Sequence, residues 1–276
     1  MRRFLLGALL VPLLVLVLAM PAGAAPFDQQ HTAWDKLLKA HVVVAADGRA
    51  SRVDYAAFKV DHAALTAYLA ELSAVGDSDY QGWTVPQRLA FLINAYNAFT
   101  IDLILTKYPD LKSIKDLGSL FGSPWGKVFF TLRGAEHSLD DIEHKMIRVP
   151  GAFNEPRIHF AVVCASIGCP MLRNEAYVAD RLDAQLEDGL RRFLADRSRN
   201  RYDSASGTLK VSHLFGWYDA DFTKGDHGFT SVAATLGRYA DLLADDAAAR
   251  NAIRAGNVPI EFLDYNWNLN DTKAAP

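Results

Sequence analysis

Cys164 and Cys169 stand in the run Arg157-Ile-His-Phe-Ala-Val-Val-Cys-Ala-Ser-Ile-Gly-Cys-Pro170, which also carries His159. The chain has no other cysteine, so the pair makes one staple or one reactive centre. Four fates are open to it. A disulfide is feasible across this separation. A thiolate nucleophile at Cys164 needs a histidine base, with His159, His144 and His213 as candidates. A metal site is disfavoured, because Cys-x4-Cys lacks the tight spacing of zinc ligands. Inert burial is the commonest fate of a free cysteine.

Other residues in the chain could join such a centre. Cys164-Ala-Ser-Ile-Gly168 resembles a nucleophile elbow around Ser166, but its first glycine is missing and Cys169-Pro170 interrupts the helix that should follow. Asn94 and Asn97 sit three apart on a strongly apolar helix, with Arg88 just before them, and asparagine is a poor interior residue there. Either they tie loops to the helix through hydrogen bonds or one of them lines a pocket and orients a catalytic group. Ser212 opens an aromatic segment holding Trp217, Tyr218, Asp219 and Asp221. Aromatics beside carboxylates suit carbohydrate or amine ligands, and equally a core-facing helix with solvated acids. Asp140, Asp141 and Glu143 read as helix-dipole charges. Glu143-His144 lacks the second histidine of HExxH, and neither GxGxxG nor a P-loop occurs, so no cofactor and no metal is expected.

The elements that must position these groups follow from patterning. Phe27–His41 has helical spacing, Asp61 can cap a helix ending near Gly76, and Asp77–Gly82 reads as a polar loop. Thr84-Val-Pro-Gln87 is a capping box opening the helix that carries Leu89, Leu92, Ile93 and Tyr96, which should be the central buried one. Val128–Arg133 with Gly134 predicts a hairpin, and Ser138 caps a helix to Ile147. Ile158–Val163 predicts a central strand, on which His159 and Cys164 point to opposite faces unless the chain bends. Helices are predicted over 175–195, 212–222, 229–243 and 245–255, with strands over 202–211 and 258–265. The whole predicts one α+β domain, helix-rich with a small central sheet.

The chain of 276 residues is half hydrophobic and 22% charged, an ordinary globular composition. Arg2 and Arg3 precede an apolar run from Phe4 to Met20, and Ala22-Gly23-Ala24 offers a cleavage site, so residues 1–24 read as a signal peptide and the mature protein as exported, to the periplasm. Without Arg2 and Arg3 the count is 27 basic against 32 acidic residues, a formal charge of −5. Such a surface argues against nucleic acid and, after cleavage, against an anionic membrane as partner. The expected partner is a small molecule or a peptide.

Five separate stretches resemble one family. They are Arg88-Leu-Ala-Phe-Leu-Ile-Asn-Ala-Tyr-Asn-Ala98, Ser138-Leu-Asp-Asp-Ile-Glu-His144, Arg157–Ala161 with Cys164 and Cys169-Pro170, Ser212-x-x-Phe-x-Trp-Tyr-x-x-Asp-Phe222, and Tyr265-x-Trp-x-Leu-Asn270. Together they are similar to domain of unknown function family 547 (DUF547), found in exported bacterial proteins and in plants. The resemblance implies a domain over 85–270, preceded by a helical segment over 25–84 and followed by a tail over 271–276. It names no reaction. Leu92 stands where the family usually has tryptophan, and Asn266 where it usually has aspartate. The resemblance implies that intracellular plant relatives carry the same cysteine pair, which shifts weight from a disulfide towards a site role without making either dominant.

The reading on function is a thiol-dependent hydrolase or acyl-transfer enzyme, with Cys164 as nucleophile. His159 or His144 serves as base and Asn94 or Asn97 as orienter. Arg88, Arg157, Ser166, Cys169, Ser212, Trp217, Tyr218 and Asp221 form the binding walls. The alternative is a non-catalytic binding module in which both cysteines are structural.

Overall fold

A computed structural model describes residues 26–119 and 122–273; the export signal read in residues 1–24 lies outside them. The N-terminal segment is α1 (Thr32–His41), a hairpin of β1 (Val42–Val44) and β2 (Ser51–Val53), then α2 (Tyr55–Val60), α3 (His62–Ala74) and α4 (Asp77–Gly82). Asp77–Gly82 is thus a helical turn rather than the expected loop, with Asp77 and Asp79 placed where the helix dipole favours acids. Asp61 stands at the start of α3 without capping it, and its Oδ2 lies 2.9 Å from His41 Nε2 instead.

Helix α5 (Val85–Leu105) organises the rest. Thr84 and Gln87 close a capping box, and Pro86 occupies the first turn, where its missing N–H costs nothing. From Leu89 to Leu105 every residue except Asp102 is buried, as befits a helix apolar all round. One hydrophobic cluster joins it to Trp34, Tyr55, Phe58, Tyr68 and Leu72, so the segment before residue 85 shares its core.

Beyond α5 come the hairpin of β3 (Phe130–Leu132) and β4 (Ala135–His137), then a π-helix over Asp141–Ile147 whose closing bond runs from Arg148 N–H to Glu143 C=O at 2.9 Å. Helix α6 (Leu182–Ala195) starts later than predicted. The chain before it is held by side chains: Gln185 accepts the Val178 N–H and donates to the Ala176 carbonyl. Then β5 (Arg201–Asp203) and β6 (Thr208–Ser212) pair antiparallel, and β7 (Ile260–Leu263) returns parallel to β6. Between them lie α7 (Leu214–Trp217), a 3₁₀ turn over Asp219–Phe222, α8 (Val232–Arg238), α9 (Ala240–Leu243) and α10 (Ala247–Arg254). Phe193, Phe215, Phe222 and Leu236 anchor a second cluster there. The fold is helix-rich α+β, and among the described residues its strands are divided among three small sheets.

Ile158–Val163 is not a strand. Pro156–Phe160 forms a 3₁₀ turn opened by Glu155, whose carboxylate accepts the Arg157 N–H. The backbone groups a neighbouring strand would have taken go to α5: Asn97 donates to the Ala161 carbonyl at 2.9 Å and accepts the Val163 N–H at 3.0 Å. A short apolar run does not distinguish a strand from such a buried seam. Ile158 and Ala161 belong to the first cluster and Phe160 to the second, so this segment is where the two cores meet.

Candidate functional site

At that meeting place lies a cavity of about 220 Å³. Its lining comes from α5 (Tyr96), the 125–144 segment (Trp125, Asp140, Glu143, His144), the seam (His159, Val162, Cys164, Cys169, Pro170), α7 and the residue after it (Leu214, Trp217, Tyr218) and the C-terminal strand exit (Tyr265, Trp267).

His159 is nearly inaccessible, stacked on Tyr218 with ring centroids 3.7 Å apart, and its Nε2 lies 2.8 Å from Asp221 Oδ2. Arg148 Nε donates to the same oxygen at 2.6 Å, and Lys224 Nζ to Oδ1 at 2.7 Å. Burial pushes the Asp221 carboxyl up, but the bonds from His159, Arg148 and Lys224 outweigh it and hold the acid well below the usual carboxylate range. An ionised Asp221 accepts the proton on Nε2, which leaves Nδ1 as the basic nitrogen of the ring. Burial lowers the His159 pKa, against the Asp221 bond and the charge of Glu143, so the imidazole is neutral at neutral pH.

Glu143 sits inside the π-helix and is only 5% exposed. Its carboxylate takes hydrogen bonds from the Tyr96 and Tyr218 hydroxyls, while its Oε1 is buried with no partner among the described residues. Burial first, then the Glu143 charge, holds the Tyr96 and Tyr218 hydroxyls far above the ordinary phenol value, so both remain donors. A buried carboxylate oxygen without a donor is costly, and π-turns recur at functional sites. At the cavity's edge His144 Nδ1 accepts from Arg148 at 2.6 Å, and its Nε2 lies 3.7 Å from Asp140.

Cys164 and Cys169 form a disulfide on the cavity wall. Cys169 Sγ accepts the Cys164 N–H at 2.9 Å, and the Tyr265 hydroxyl donates to Cys164 Sγ at 3.3 Å. The turn between them carries Ala165 at φ 59°, a left-handed conformation that side chains other than glycine and asparagine seldom adopt. Gly168 sits in a tight place: a Cβ there would lie 3.0 Å from the Tyr265 ring and the Asn266 nitrogen, and one of them would have to give way. The chain bends before Cys164, which is why His159 and Cys164 share a cavity that a straight strand would have denied them.

The predicted residues therefore separate. His159, His144, Cys164, Cys169, Trp217 and Tyr218 line the cavity, and Asp221 supports it from behind. Asn94 and Asn97 do not line it. Asn94 donates to the Tyr177 carbonyl at 2.7 Å and accepts its N–H at 3.0 Å, so both asparagines are spent on loop backbone. Ser166 turns its hydroxyl to the Cys164 carbonyl and faces a different recess. Ser212 accepts the Leu214 N–H at the start of α7. Arg157 is buried among Glu155, Asp183 and Glu187, and Arg88 packs over the Tyr80 ring. Glu143 stands with Asp141 in the first turn of the π-helix, where the dipole favours acids, but its side chain is buried in the cavity wall, whereas Asp141 accepts from Ser138 and Lys145. Sequence reasoning missed Glu143, Tyr96, Trp125, Tyr265 and Trp267 as lining. Glu143 adjoins His144, and Tyr265 and Trp267 stand in the last of the five motifs, which was the available signal. Asn266 is exposed and accepts the Asn268 N–H, so the departure from aspartate falls outside the cavity.

The model of the family described as "Protein of unknown function, DUF547" matches residues 80–194, which supports the family the five motifs resemble. The matched stretch includes Tyr96, Glu143, His159 and both cysteines, while Trp217, Tyr218, Tyr265 and Trp267 lie C-terminal to it. No curated protein and no solved structure matches the chain.

Proposed function

We propose that the cavity is the active site of a hydrolytic enzyme working by general acid–base chemistry. The observation that carries this reading is the His159–Asp221 pair at 2.8 Å, set in a wall shared with the partnerless Glu143 oxygen. His159 Nδ1 takes a proton from water as it attacks the substrate, Asp221 stabilises the imidazolium, and the proton passes on to the leaving group. Glu143 positions the substrate by accepting one of its hydrogen bonds. Because burial lowers the His159 pKa, the base is in its working form at neutral pH, and the acid limb of the activity profile falls below pH 6.5.

A second reading keeps Cys164 as a nucleophile or acyl carrier, favoured by its place in the same cavity as His159. It requires reduction of the disulfide first, since only the thiolate attacks. Export through residues 1–24 belongs to the same proposal, and an intact mass beginning at Ala25 tests it.

The experiment is a panel of chromogenic esters, amides and glycosides at neutral pH, with and without a dithiol reductant, on wild type and His159→Gln. Turnover without reductant, cut by a factor of about 10²–10⁴ in His159→Gln, is the expected result. Turnover appearing on reduction alone transfers the role to Cys164. A panel without turnover, or a variant as active as wild type, leaves the binding-module alternative in its place.

A further inference from the structure

The chemistry of the ligand can be read from which surfaces of the cavity are already occupied. Two aromatic faces are covered by cations: Lys115 Nζ lies 3.6 Å from the Trp267 centroid, and the Arg148 guanidinium 4.9 Å from that of Tyr218. Faces occupied in this way cannot act as a cage for an ammonium group, and both cations repel one. Trp217 is different. It packs against His213, Tyr265 and Trp267, with centroids 5.0, 4.9 and 5.5 Å away, yet is 47% exposed. An indole open to solvent at a cavity mouth offers a flat apolar platform that core packing does not explain. Opposite in character is the Glu143 carboxylate, more than nine-tenths buried in the cavity wall and bonded by Tyr96 and Tyr218, with one oxygen lacking a donor among the described residues. The volume, about 220 Å³, is below the range of about 300–1,000 Å³ typical of drug-sized ligands, and so admits one ring-sized unit.

We infer that the cavity takes a neutral, hydroxylated ring, a saccharide unit, stacked on Trp217 and donating a hydroxyl to Glu143. This deepens the proposed function by naming its substrate class, and it rests on that reading for the chemistry. A saccharide meets both demands at once: its C–H face suits the indole, and its hydroxyls supply the donor without bringing a charge near Arg148 and Lys115. A carboxylate ligand would meet Glu143 with like charge, and a purely apolar one would leave Oε1 unpaired.

The test is tryptophan-fluorescence titration of the full chain with trisaccharides built of glucose, galactose or N-acetylglucosamine, alongside choline and spermidine. At least one saccharide is expected to shift the emission with saturation at millimolar concentration, and both cations are expected to leave it unchanged. Trp217→Ala and Glu143→Gln should each weaken binding tenfold or more, with circular dichroism and melting unaltered, and Trp217→Tyr should restore most of the affinity. Saturable binding of the cations alone, or no binding by any saccharide, overturns the inference. The two readings fail separately. A saccharide that binds both wild type and His159→Gln but is never cleaved removes the hydrolytic reading and leaves this one standing. A His159-dependent turnover of a non-saccharide, with no saccharide bound, does the reverse.

Discussion

Helix α5 and the neighbouring cavity both bury polar side chains, and they treat them in opposite ways. On the helix, each asparagine uses its amide oxygen and nitrogen on the backbone of the segment packed against it. In the cavity, His159 has one nitrogen committed and Glu143 has one oxygen with nothing to accept. The first pattern makes structure: a buried amide with both ends satisfied replaces the hydrogen bonds of a missing strand. The second costs stability and is kept where a ligand or substrate supplies the partner. Breaking a satisfied group should therefore damage the fold, and changing an unsatisfied one should damage binding.

The largest effect expected is that of Asn97→Ala. It strips the Ala161 carbonyl and the Val163 N–H of their partners inside the core, each worth about 1–3 kcal/mol. A loss of about 4 kcal/mol in chemical denaturation is the prediction. A loss below about 1 kcal/mol, the scale of a surface substitution, would mean that water replaces the amide and that the contrast between the two regions is weaker than drawn.

His31 provides a counter-case within the N-terminal core. Its Nδ1 is 2.7 Å from the Tyr68 hydroxyl, but Nε2 is buried without a partner among the described residues, and the ring is not part of the cavity wall. Burial, opposed by the charge of Asp28, lowers its pKa from 6.5 to about 4. The unfolded chain thus binds a proton that the folded one refuses, and stability present above pH 6.5 is lost as pH falls towards 4. A fall from 6.5 to about 4 corresponds to roughly 3 kcal/mol at full protonation. His159, also lowered by burial, adds to the loss in the same direction. Urea melts between pH 7 and 4 should show this slope, and His31→Leu should flatten it; an unchanged slope assigns it elsewhere.

The disulfide joins the two patterns, being structural by chemistry and placed on the cavity wall. Closing so short a loop stabilises by about 2 kcal/mol in the chain-entropy account. Reduction, or the double change Cys164→Ser with Cys169→Ser, should lower the melting temperature accordingly. Iodoacetamide should add no mass without reductant and two labels after it. Labelling of native protein without reductant would remove the staple from this account.

These contrasts mark what was legible in the chain. The capping box at Thr84, the hairpin around Gly134 and the apolar face of α5 are local signals, and they produced the predicted elements. The motif residues His159, Cys164, Trp217 and Tyr218 also pointed to one place. What local patterning does not carry is the partner of a backbone group. Ile158–Val163 has the composition of a strand, and it bends because a side chain from α5 takes its hydrogen bonds. Glu143 shows a related limit: it stands in the first turn, where an acid fits the dipole, and that position alone does not tell that its side chain is buried in the cavity wall. Asp141, two residues earlier in the same turn, spends its carboxylate on Ser138 and Lys145 instead.

The smallest stability effect, and the sharpest test of the comparison, belongs to Glu143→Gln. The substitution keeps the shape, removes a buried charge that lacks a full set of partners, and gives Tyr96 and Tyr218 an amide oxygen to donate to. Stability should stay within about 1 kcal/mol of wild type, on either side, because the charge removed was costly to bury. Ligand binding or turnover should fall tenfold or more in the same protein. A variant that melts as early as Asn97→Ala would make Glu143 another satisfied structural group, its donor supplied by ordered water, and the two regions would then obey one rule. A variant with unchanged stability and unchanged binding would detach Glu143 from the site and leave His159–Asp221 to account for it alone.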